Sequence, residues 1–133
     1  MEYLRPELST KNPYYLSKHR YYELRHFCLH YNDWIRVQRY LLGQCGSKEK
    51  TDEFSDPTGE LASLLADYSR SIEMVEKAAK AADEFLAPYI LKNVTEGRSY
   101  INLNSKYGMP CCKEMFYDRC RRFFYILSNV KGL

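Results

Sequence analysis

Apolar residues recur at intervals of three and four along most of this chain, and almost no segment alternates strictly between apolar and polar residues. Intervals of three and four place side chains on one face of an α-helix, whereas a half-buried strand requires alternation. The clearest run comprises Leu61, Leu64, Leu65, Tyr68, Ile72, Val75 and Ala79. The pattern therefore predicts an all-α fold of five or six helices.

The last third of the chain contains residues that end and begin helices. Gly97 and Gly108 each stand where a helix should stop and where a left-handed backbone is least costly for glycine. Ser99 suits the N-cap of a short helix, and Pro110 suits the first turn of a longer basic one. Helix, short helix, tight turn and basic helix in this order predict a C-terminal helix-turn-helix.

The two helices of this motif should each have one apolar face. In the first, Tyr100, Leu103 and Tyr107 are expected to pack against the second. In the second, the predicted apolar stripe comprises Cys112, Met115, Phe116, Phe123, Ile126 and Leu127. The opposite side comprises Lys113, Tyr117, Arg121 and Phe124. A recognition helix offers such cations and a tyrosine to the DNA major groove, but a plain bundle helix that contacts protein needs a polar face too.

Three charged residues of the basic helix qualify this interpretation. Glu114 and Asp118 lie near the same face as the cations and count against binding to phosphate. Arg119 points toward the apolar stripe. We therefore expect Arg119 to pair with a carboxylate, such as that of Glu96, or to extend to water.

Upstream, a first helix is expected from about Pro13 to His30, and Asn32 or Asp33 can cap a second. The second helix carries Trp34, Ile35, Val37, Leu41 and Leu42. The polar, glycine-containing segment from Gly43 to Phe54 predicts a mobile loop or linker.

The next two helices are also marked by capping residues. Asp56 and Pro57 suit the cap and first position of a helix that should end near Ala82. Asp83 can cap the following helix, which we expect to be kinked or started afresh at Pro88.

The chain has 133 residues, which is the length of one domain, and its hydrophobic content of 45% favours a folded core over disorder. We expect one compact domain with two regions. The first is an N-terminal tyrosine-rich helical segment, residues 1–50. The second is a helical region with the C-terminal helix-turn-helix, residues 51–133.

The sequence predicts a cytoplasmic protein with no membrane partner. No apolar run approaches the roughly 20 residues that span a bilayer, and the first residues lack a signal-peptide pattern. The five cysteines are odd in number, and Cys111 and Cys112 are adjacent. They do not resemble a disulfide framework and fit a reducing compartment, where cysteine acts as a small apolar residue.

Charge is distributed unevenly along the chain. Residues 1–50 contain nine Lys or Arg and five Asp or Glu, and residues 90–133 contain eight and three. Residues 51–89 contain three Lys or Arg and nine Asp or Glu. Two basic regions around an acidic one suit a polyanion-binding surface and a separate protein-facing surface. The same asymmetry could also serve only to hold the helices together.

Enzyme chemistry has few candidate residues. His26 and His30 have the spacing of a two-ligand metal face, with His19 nearby, but a polar helix side accounts for them better. Cys111, Cys112 and Cys120 lack a second pair at ligand spacing. No phosphate loop, nucleophile elbow or pair of catalytic carboxylates is evident. We expect no enzyme activity, no metal and no cofactor.

The chain contains 13 tyrosines, and six of them lie among arginines and lysines in the first helices. Interleaved Arg and Tyr can stack the bases of single-stranded nucleic acid, and they are also common anchors of protein interfaces. A third interpretation is that these tyrosines fill a small helical core with their hydroxyls at the surface. The six are Tyr14, Tyr15, Tyr21, Tyr22, Tyr31 and Tyr40.

Five segments resemble small proteins of phages and prophages of Firmicutes. They are Asp56-Pro-Thr-Gly-Glu-Leu-Ala62, Ile72-Glu-Met-Val-Glu76, Ile90-Leu-Lys-Asn-Val-Thr-Glu-Gly97, Ser99-Tyr100 and Phe116-Tyr-Asp-Arg-Cys-Arg-Arg-Phe-Phe124. The C-terminal halves of those proteins are similar to ArpU/RinA-type late-gene transcription regulators, which in turn resemble the promoter-binding fourth region of sigma factors. The resemblance covers about residues 56–127.

The resemblance implies a phage or prophage DNA-binding protein that regulates transcription in the cytoplasm of a bacterial host cell. Its partner would be double-stranded DNA, and a homodimer would suit two half-sites. We expect Lys113, Tyr117 and Arg121 to contact the groove or phosphate. Arg98 and Lys106 are expected to contact the DNA backbone.

A second function remains open from the sequence. Asn104 stands where such motifs usually have a small residue, and a degenerate helix-turn-helix that has become a protein-binding module would look the same. The chain would then be a phage-encoded interaction protein that inhibits or redirects a host protein or nucleoprotein, for example a defence system. Its contact surface would be the tyrosine-rich helices or the acidic residues Asp67, Glu73 and Glu76. A packaging subunit that forms rings is a third possibility.

Overall fold

A computed structural model describes residues 13–46 and 59–132, and this part of the chain forms six α-helices and no strand. The helices are α1 (Lys18–Leu29), α2 (Tyr31–Gly46), α3 (Gly59–Ala82), α4 (Ala87–Glu96), α5 (Tyr100–Tyr107) and α6 (Lys113–Val130). The predicted all-α fold is confirmed. Among the described helices, none combines the length and apolar character that crossing a membrane requires.

The core lies where α1, α3, α4 and α6 meet. Two of its members are Cys28 and Cys120, which are both fully buried free thiols. Burial raises the pKa of each thiol, so both behave as small apolar side chains. The other fully buried side chains include Leu24, Val75, Ile90, Val94, Leu103, Phe116, Phe123, Phe124 and Leu127.

The first helix begins later than predicted, because the cap is Ser17 and not a residue near Pro13. The Ser17 hydroxyl accepts a hydrogen bond from the backbone N–H of Arg20 at 3.2 Å, and α1 starts at Lys18. A side chain that binds a free N–H of the first turn is the usual way in which a helix begins.

The break between α1 and α2 consists of His30 alone. The N–H of Trp34 donates to the carbonyl of His30 at 2.9 Å, so α2 begins at Tyr31. The expectation that Asn32 or Asp33 caps α2 is therefore wrong, since both lie within its first turn. Helical hydrogen bonds resume too soon after the break for either residue to precede the helix.

The predicted loop from Gly43 to Phe54 is wrong in its first four residues. α2 continues through Gly46, so the first four residues of that segment are helical. The remainder of the segment lies outside the described residues, as do the predicted cap Asp56 and Pro57. α3 begins at Gly59 and ends at Ala82, and its end was predicted correctly.

Asp83 joins α3 to α4, but the expectation that it is the N-cap of α4 is wrong, because Leu86 occupies that position. Asp83 Oδ1 accepts hydrogen bonds from the N–H groups of Phe85 at 3.0 Å and Leu86 at 3.1 Å. α4 then starts at Ala87, with Pro88 in its first turn. The carboxylate of Asp83 therefore holds the turn before α4 and does not cap the helix itself. The fresh start of α4 beside Pro88 is confirmed.

Asp83 also binds α6 through an ion pair. The Nε atom of Arg119 lies 3.1 Å from Asp83 Oδ2, and its Nη1 atom lies 2.6 Å from Asp118 Oδ2. The expectation that Arg119 pairs with a carboxylate is confirmed, but the suggested partner was wrong. Glu96 binds Arg98 instead, at 2.6 Å, because the two residues flank the end of α4.

Replacing Asp83 should reveal how much its hydrogen bonds before α4 and its ion pair with Arg119 stabilise the fold. Asp83→Ala removes the acceptor of two backbone N–H groups and one partner of Arg119, so we expect the free energy of unfolding to fall by about 2–3 kcal/mol. Asp83→Asn keeps the acceptor but loses the charge, and its effect should be smaller. Urea unfolding followed by circular dichroism measures both.

Glu73→Ala is the matched control for Asp83→Ala. It removes an exposed carboxylate that pairs with Lys77 within α3, at 3.3 Å. Such a pair contributes less than about 0.5 kcal/mol. Equal losses for Asp83→Ala and Glu73→Ala would contradict the structural role of Asp83.

Candidate nucleic-acid interface

α5 has the two ends that the sequence predicts. Gly97 has a φ of 75° and follows α4, and Gly108 has a φ of 73° and follows α5. The Ser99 hydroxyl accepts a hydrogen bond from the N–H of Asn102 at 3.1 Å. Positive φ favours glycine, so both glycine stops and the Ser99 cap are confirmed.

The connection from α5 to α6 comprises residues 108–112, and Pro110 lies within it. α6 begins at Lys113 with Cys112 as its N-cap, so the expectation that Pro110 occupies the first turn is wrong. Asn104 explains part of this arrangement. Its Oδ1 accepts a hydrogen bond from the N–H of Met109 at 3.0 Å, which holds the chain in a turn after α5.

Two tyrosines fix α5 against α6. The hydroxyl of Tyr117, on α6, accepts a hydrogen bond from the N–H of Tyr100 at 3.0 Å. The hydroxyl of Tyr100 donates to the carbonyl of Cys111 at 2.6 Å. The first bond satisfies an N–H at the start of α5, where a helix has no internal partner for it. Together they set the position of α5 relative to the beginning of α6.

The predicted contact face of α5 is only partly correct. Leu103 is fully buried, and the Tyr100 ring lies 5.9 Å from the ring of Phe116, measured between centroids. Tyr107 is 46% exposed and does not belong to this contact. Lys92 of α4 lies 5.0 Å from the centre of the Tyr107 ring, so Tyr107 pairs with a cation of α4.

α6 is buried on more sides than a single stripe predicts. Phe116, Phe123 and Leu127 are buried as expected. However, Phe124 is also fully buried and Tyr117 is 7% exposed, so their assignment to the exposed side is wrong. The reason is that α1, α3 and α4 all pack against α6, and Tyr117 reaches α5.

The solvent face of α6 consequently differs from the predicted one. Met115 is 40% exposed, although it was assigned to the apolar stripe, and Cys112 before it is exposed as well. Sequence reasoning missed Arg122, whose distance of four residues from Asp118 is the signal that places both on one face. The exposed and half-exposed residues of this face are Glu114, Met115, Asp118, Arg122, Tyr125 and Asn129.

Two of the five residues predicted to contact DNA lie at the ends of the connection between α5 and α6. Lys106 is in the last turn of α5, Lys113 is the first residue of α6, and both are exposed. We call Lys106, Lys113 and residues 108–112 the connecting tip. Tyr117 is buried and its hydroxyl binds the first N–H of α5, so almost none of its side chain is available to a groove.

The two predicted arginines are engaged with neighbouring side chains. Arg98 binds Glu96 and also donates to Asn102 Oδ1 at 3.0 Å, and the hydrogen bond to Glu96 raises its pKa. The side chain of Arg121 is 26% exposed, and its Nη2 atom lies 4.0 Å from Asp118. Its Nε atom is buried without a hydrogen-bond partner. Neither arginine is therefore presented as an open cation.

The cysteines and histidines do not form a metal centre within the described residues, which contain no group of three or more ligand-type side chains suitably placed. The Nδ1 atom of His30 lies 4.0 Å from Asp33, and His26 is in the last turn of α1. Burial is the main reason that the pKa of Cys111 is raised.

Searches of protein-family models, curated proteins and solved structures find no match to this chain.

The bond from Tyr100 to Tyr117 predicts how α5 is held. Tyr117→Phe leaves the N–H of Tyr100 without its acceptor, which should cost about 1–2 kcal/mol of local stability. Hydrogen exchange of the α5 amides should accelerate about tenfold, measured by NMR or mass spectrometry. Tyr125→Phe, at a tyrosine that is 36% exposed on the same helix, is the control. Unchanged exchange in Tyr117→Phe would mean that other contacts position α5.

Proposed function

We propose that this protein binds double-stranded DNA through α5 and α6, acting as a helix-turn-helix, and that it is a phage or prophage transcription regulator. The observation that carries the proposal is the connecting tip. It joins two helices that are fixed by hydrogen bonds from Tyr100 and Tyr117, and it has exposed lysines at both ends. A helix pair that is held by side-chain hydrogen bonds and has one exposed lysine at each end of its connection suits phosphate contact.

The beginning of α6 would make the first contact with DNA. The positive end of the helix dipole favours a phosphate there, and Lys113 is an exposed cation at the same end. Lys106 would contact a second phosphate from the other side of the connection. Arg98 and Arg121 would have to leave their carboxylate neighbours to bind phosphate, so we expect them to contribute less to DNA affinity than the two lysines.

Removing both lysines of the connecting tip should weaken binding to DNA. The double variant Lys106→Ala, Lys113→Ala loses two phosphate contacts, so its affinity for duplex DNA should be at least about tenfold lower at low salt. The slope of log affinity against log salt concentration should also decrease by about 2. Fluorescence anisotropy with duplex DNA at several salt concentrations measures both quantities.

Lys80→Ala is the matched control, because Lys80 is an exposed lysine in the last turn of the acidic helix α3. It should leave the affinity and the salt slope close to those of the natural sequence. If the double variant binds duplex DNA as tightly as this control, or if the natural sequence does not bind at low salt, the DNA proposal is wrong.

The solvent face of α6 favours a second candidate function, which is binding to a host protein or nucleoprotein. Glu114 and Asp118 lie on this face and would repel phosphate. Ile101 of α5 is 63% exposed and Met115 of α6 is 40% exposed, and exposed apolar residues beside charges are typical of protein contacts. The solvent face of α6 is a better candidate for a protein contact than the acidic surface around Glu73, because Glu73 is already paired with Lys77.

Glu114→Gln should distinguish the two functions. If α6 approaches DNA, removal of this negative charge should raise duplex affinity by about two- to fivefold, since one repulsive charge is lost. If the solvent face binds a protein, the duplex affinity stays negligible. Titration of the variant with the same duplex measures the effect, and Glu84→Gln, at an exposed residue before α4, is the control.

A further inference from the structure

Two neighbouring cysteines lie in the connecting tip, immediately before α6. Cys111 is half-buried, and Cys112, the N-cap of α6, is exposed. Both thiols are free, and the side chain of Cys112 makes no hydrogen bond to the first turn of α6. The proposed contacts with DNA use Lys106 and Lys113, so they give these two thiols no role.

The pair differs from the two cysteines of the core. Cys28 and Cys120 have no exposed surface, so reagents dissolved in water do not reach them in the folded protein. Cys111 and Cys112 are joined by one peptide group, and their Cα atoms are therefore only about 3.8 Å apart. An exposed thiol with a second thiol beside it is the arrangement that thiol-based redox sensors use.

Cys112 is the residue that a hydroperoxide reaches first. Oxidation of a thiol depends on its exposure and on its thiolate form. Cys112 is exposed, whereas Cys111 is half-buried and burial raises the pKa of its thiol. The sulfur of Cys112 takes one oxygen from the peroxide as the O–O bond breaks. This step gives a sulfenic acid on Cys112 and leaves water or an alcohol.

Cys111 completes the reaction. Its sulfur attacks the sulfur of the Cys112 sulfenic acid, an S–S bond forms and the S–O bond breaks. The hydroxide that leaves takes the proton of the Cys111 thiol and departs as water. Both electrons lost by the two thiols have then passed to the peroxide, and no other oxidant is needed.

The resulting disulfide acts on the contact between α5 and α6. Disulfides usually join Cα atoms that are about 4.4–6.8 Å apart, which is more than the distance between chain neighbours. The peptide group between Cys111 and Cys112 must therefore twist when the bond closes. Its carbonyl is the one that accepts a hydrogen bond from the hydroxyl of Tyr100 at 2.6 Å. Twisting the peptide group moves this acceptor and weakens one of the two bonds that hold α5.

We propose that Cys112 and Cys111 form a modification site for hydroperoxides, at which a reversible disulfide between chain neighbours loosens α5. Disulfides that are exposed and of unusual geometry are easily reduced, so thiol reductants restore the dithiol form. Formation of the disulfide is independent of DNA binding. Its effect on DNA affinity rests on the proposed function, because the site lies within the connecting tip.

Mass spectrometry of one tryptic peptide tests the chemistry. Trypsin cleaves after Lys106 and Lys113, and the peptide of residues 107–113 contains both thiols and no other cysteine. After the folded full chain is treated with hydrogen peroxide and then alkylated, this peptide should lack two hydrogens and carry no alkyl group. Dithiothreitol should reverse the change. Two alkylated thiols, a sulfinic acid at Cys112 without a disulfide, or a bond to another peptide would overturn the proposal.

Two serine variants test the order of the steps. Cys111→Ser has no second thiol at the site, so it should accumulate a sulfenic acid at Cys112 that dimedone traps. Cys112→Ser retains only the half-buried thiol, and its oxidation at residue 111 should be at least about tenfold slower. Equal rates of oxidation in the two variants would show that exposure does not select Cys112.

Hydrogen exchange tests the effect on α5. The α5 amides of the oxidised protein should exchange at least about fivefold faster than those of the reduced protein, because the bond from Tyr100 is weakened. Oxidised Cys111→Ser, which forms no disulfide, is the control and should keep the slow exchange. Unchanged exchange after complete disulfide formation would contradict the loosening of α5.

Fluorescence anisotropy of the reduced and oxidised proteins with duplex DNA separates this inference from the proposed function. Duplex affinity should fall on oxidation and recover on reduction. If the reduced protein does not bind DNA, the proposed function is wrong, and the mass of the peptide and the exchange of α5 still decide whether the thiol site exists. If the reduced protein binds DNA and the disulfide forms without a loss of affinity, the proposed effect on DNA binding is wrong.

Discussion

The burial of α6 on several sides is the constraint on which the rest of the structure depends. α1, α3 and α4 pack against it, and its aromatic residues Phe116, Phe123 and Phe124 are fully buried. Burying three phenylalanines contributes several kcal/mol through the hydrophobic effect. A helix that holds the core together in this way can present only a narrow strip to a partner. That strip carries Glu114 and Asp118 as well as Arg122.

This constraint moves the candidate site from the side of α6 to its beginning. Tyr117 leaves the exposed surface because its hydroxyl accepts a bond from α5, and Arg121 is largely covered. Lys106 and Lys113 remain exposed, because the connection between α5 and α6 lies at the edge of the bundle. A helix N-terminus with a nearby lysine can bind phosphate although the side of the helix is acidic. The geometry thus favours backbone contacts over extensive base contacts.

The two halves of α3 have different surroundings. Its second half is covered by α6 and ends at Asp83, which binds Arg119 and caps the turn before α4. In its first half, Leu61 and Leu64 are exposed. The same apolar spacing therefore has two outcomes along one helix. In the second half of α3 this spacing builds the core with α6, and in the first half it leaves leucines at the surface.

The sequence by itself determined the fold class through its apolar spacing. It also determined several helix ends, namely the last residues of α3 and α4 and both ends of α5, because capping acts within a few residues. Ser99, Gly97 and Asp83 each bind or shape backbone in their immediate neighbourhood, so their roles can be read locally. The tertiary structure alone decided the partner of Arg119, the burial of Tyr117 and hence the surface left for a ligand. A helical wheel assumes one covered face, whereas α6 is covered by helices that are distant in sequence. Their positions follow from packing of the whole bundle, which spacing within one helix does not encode.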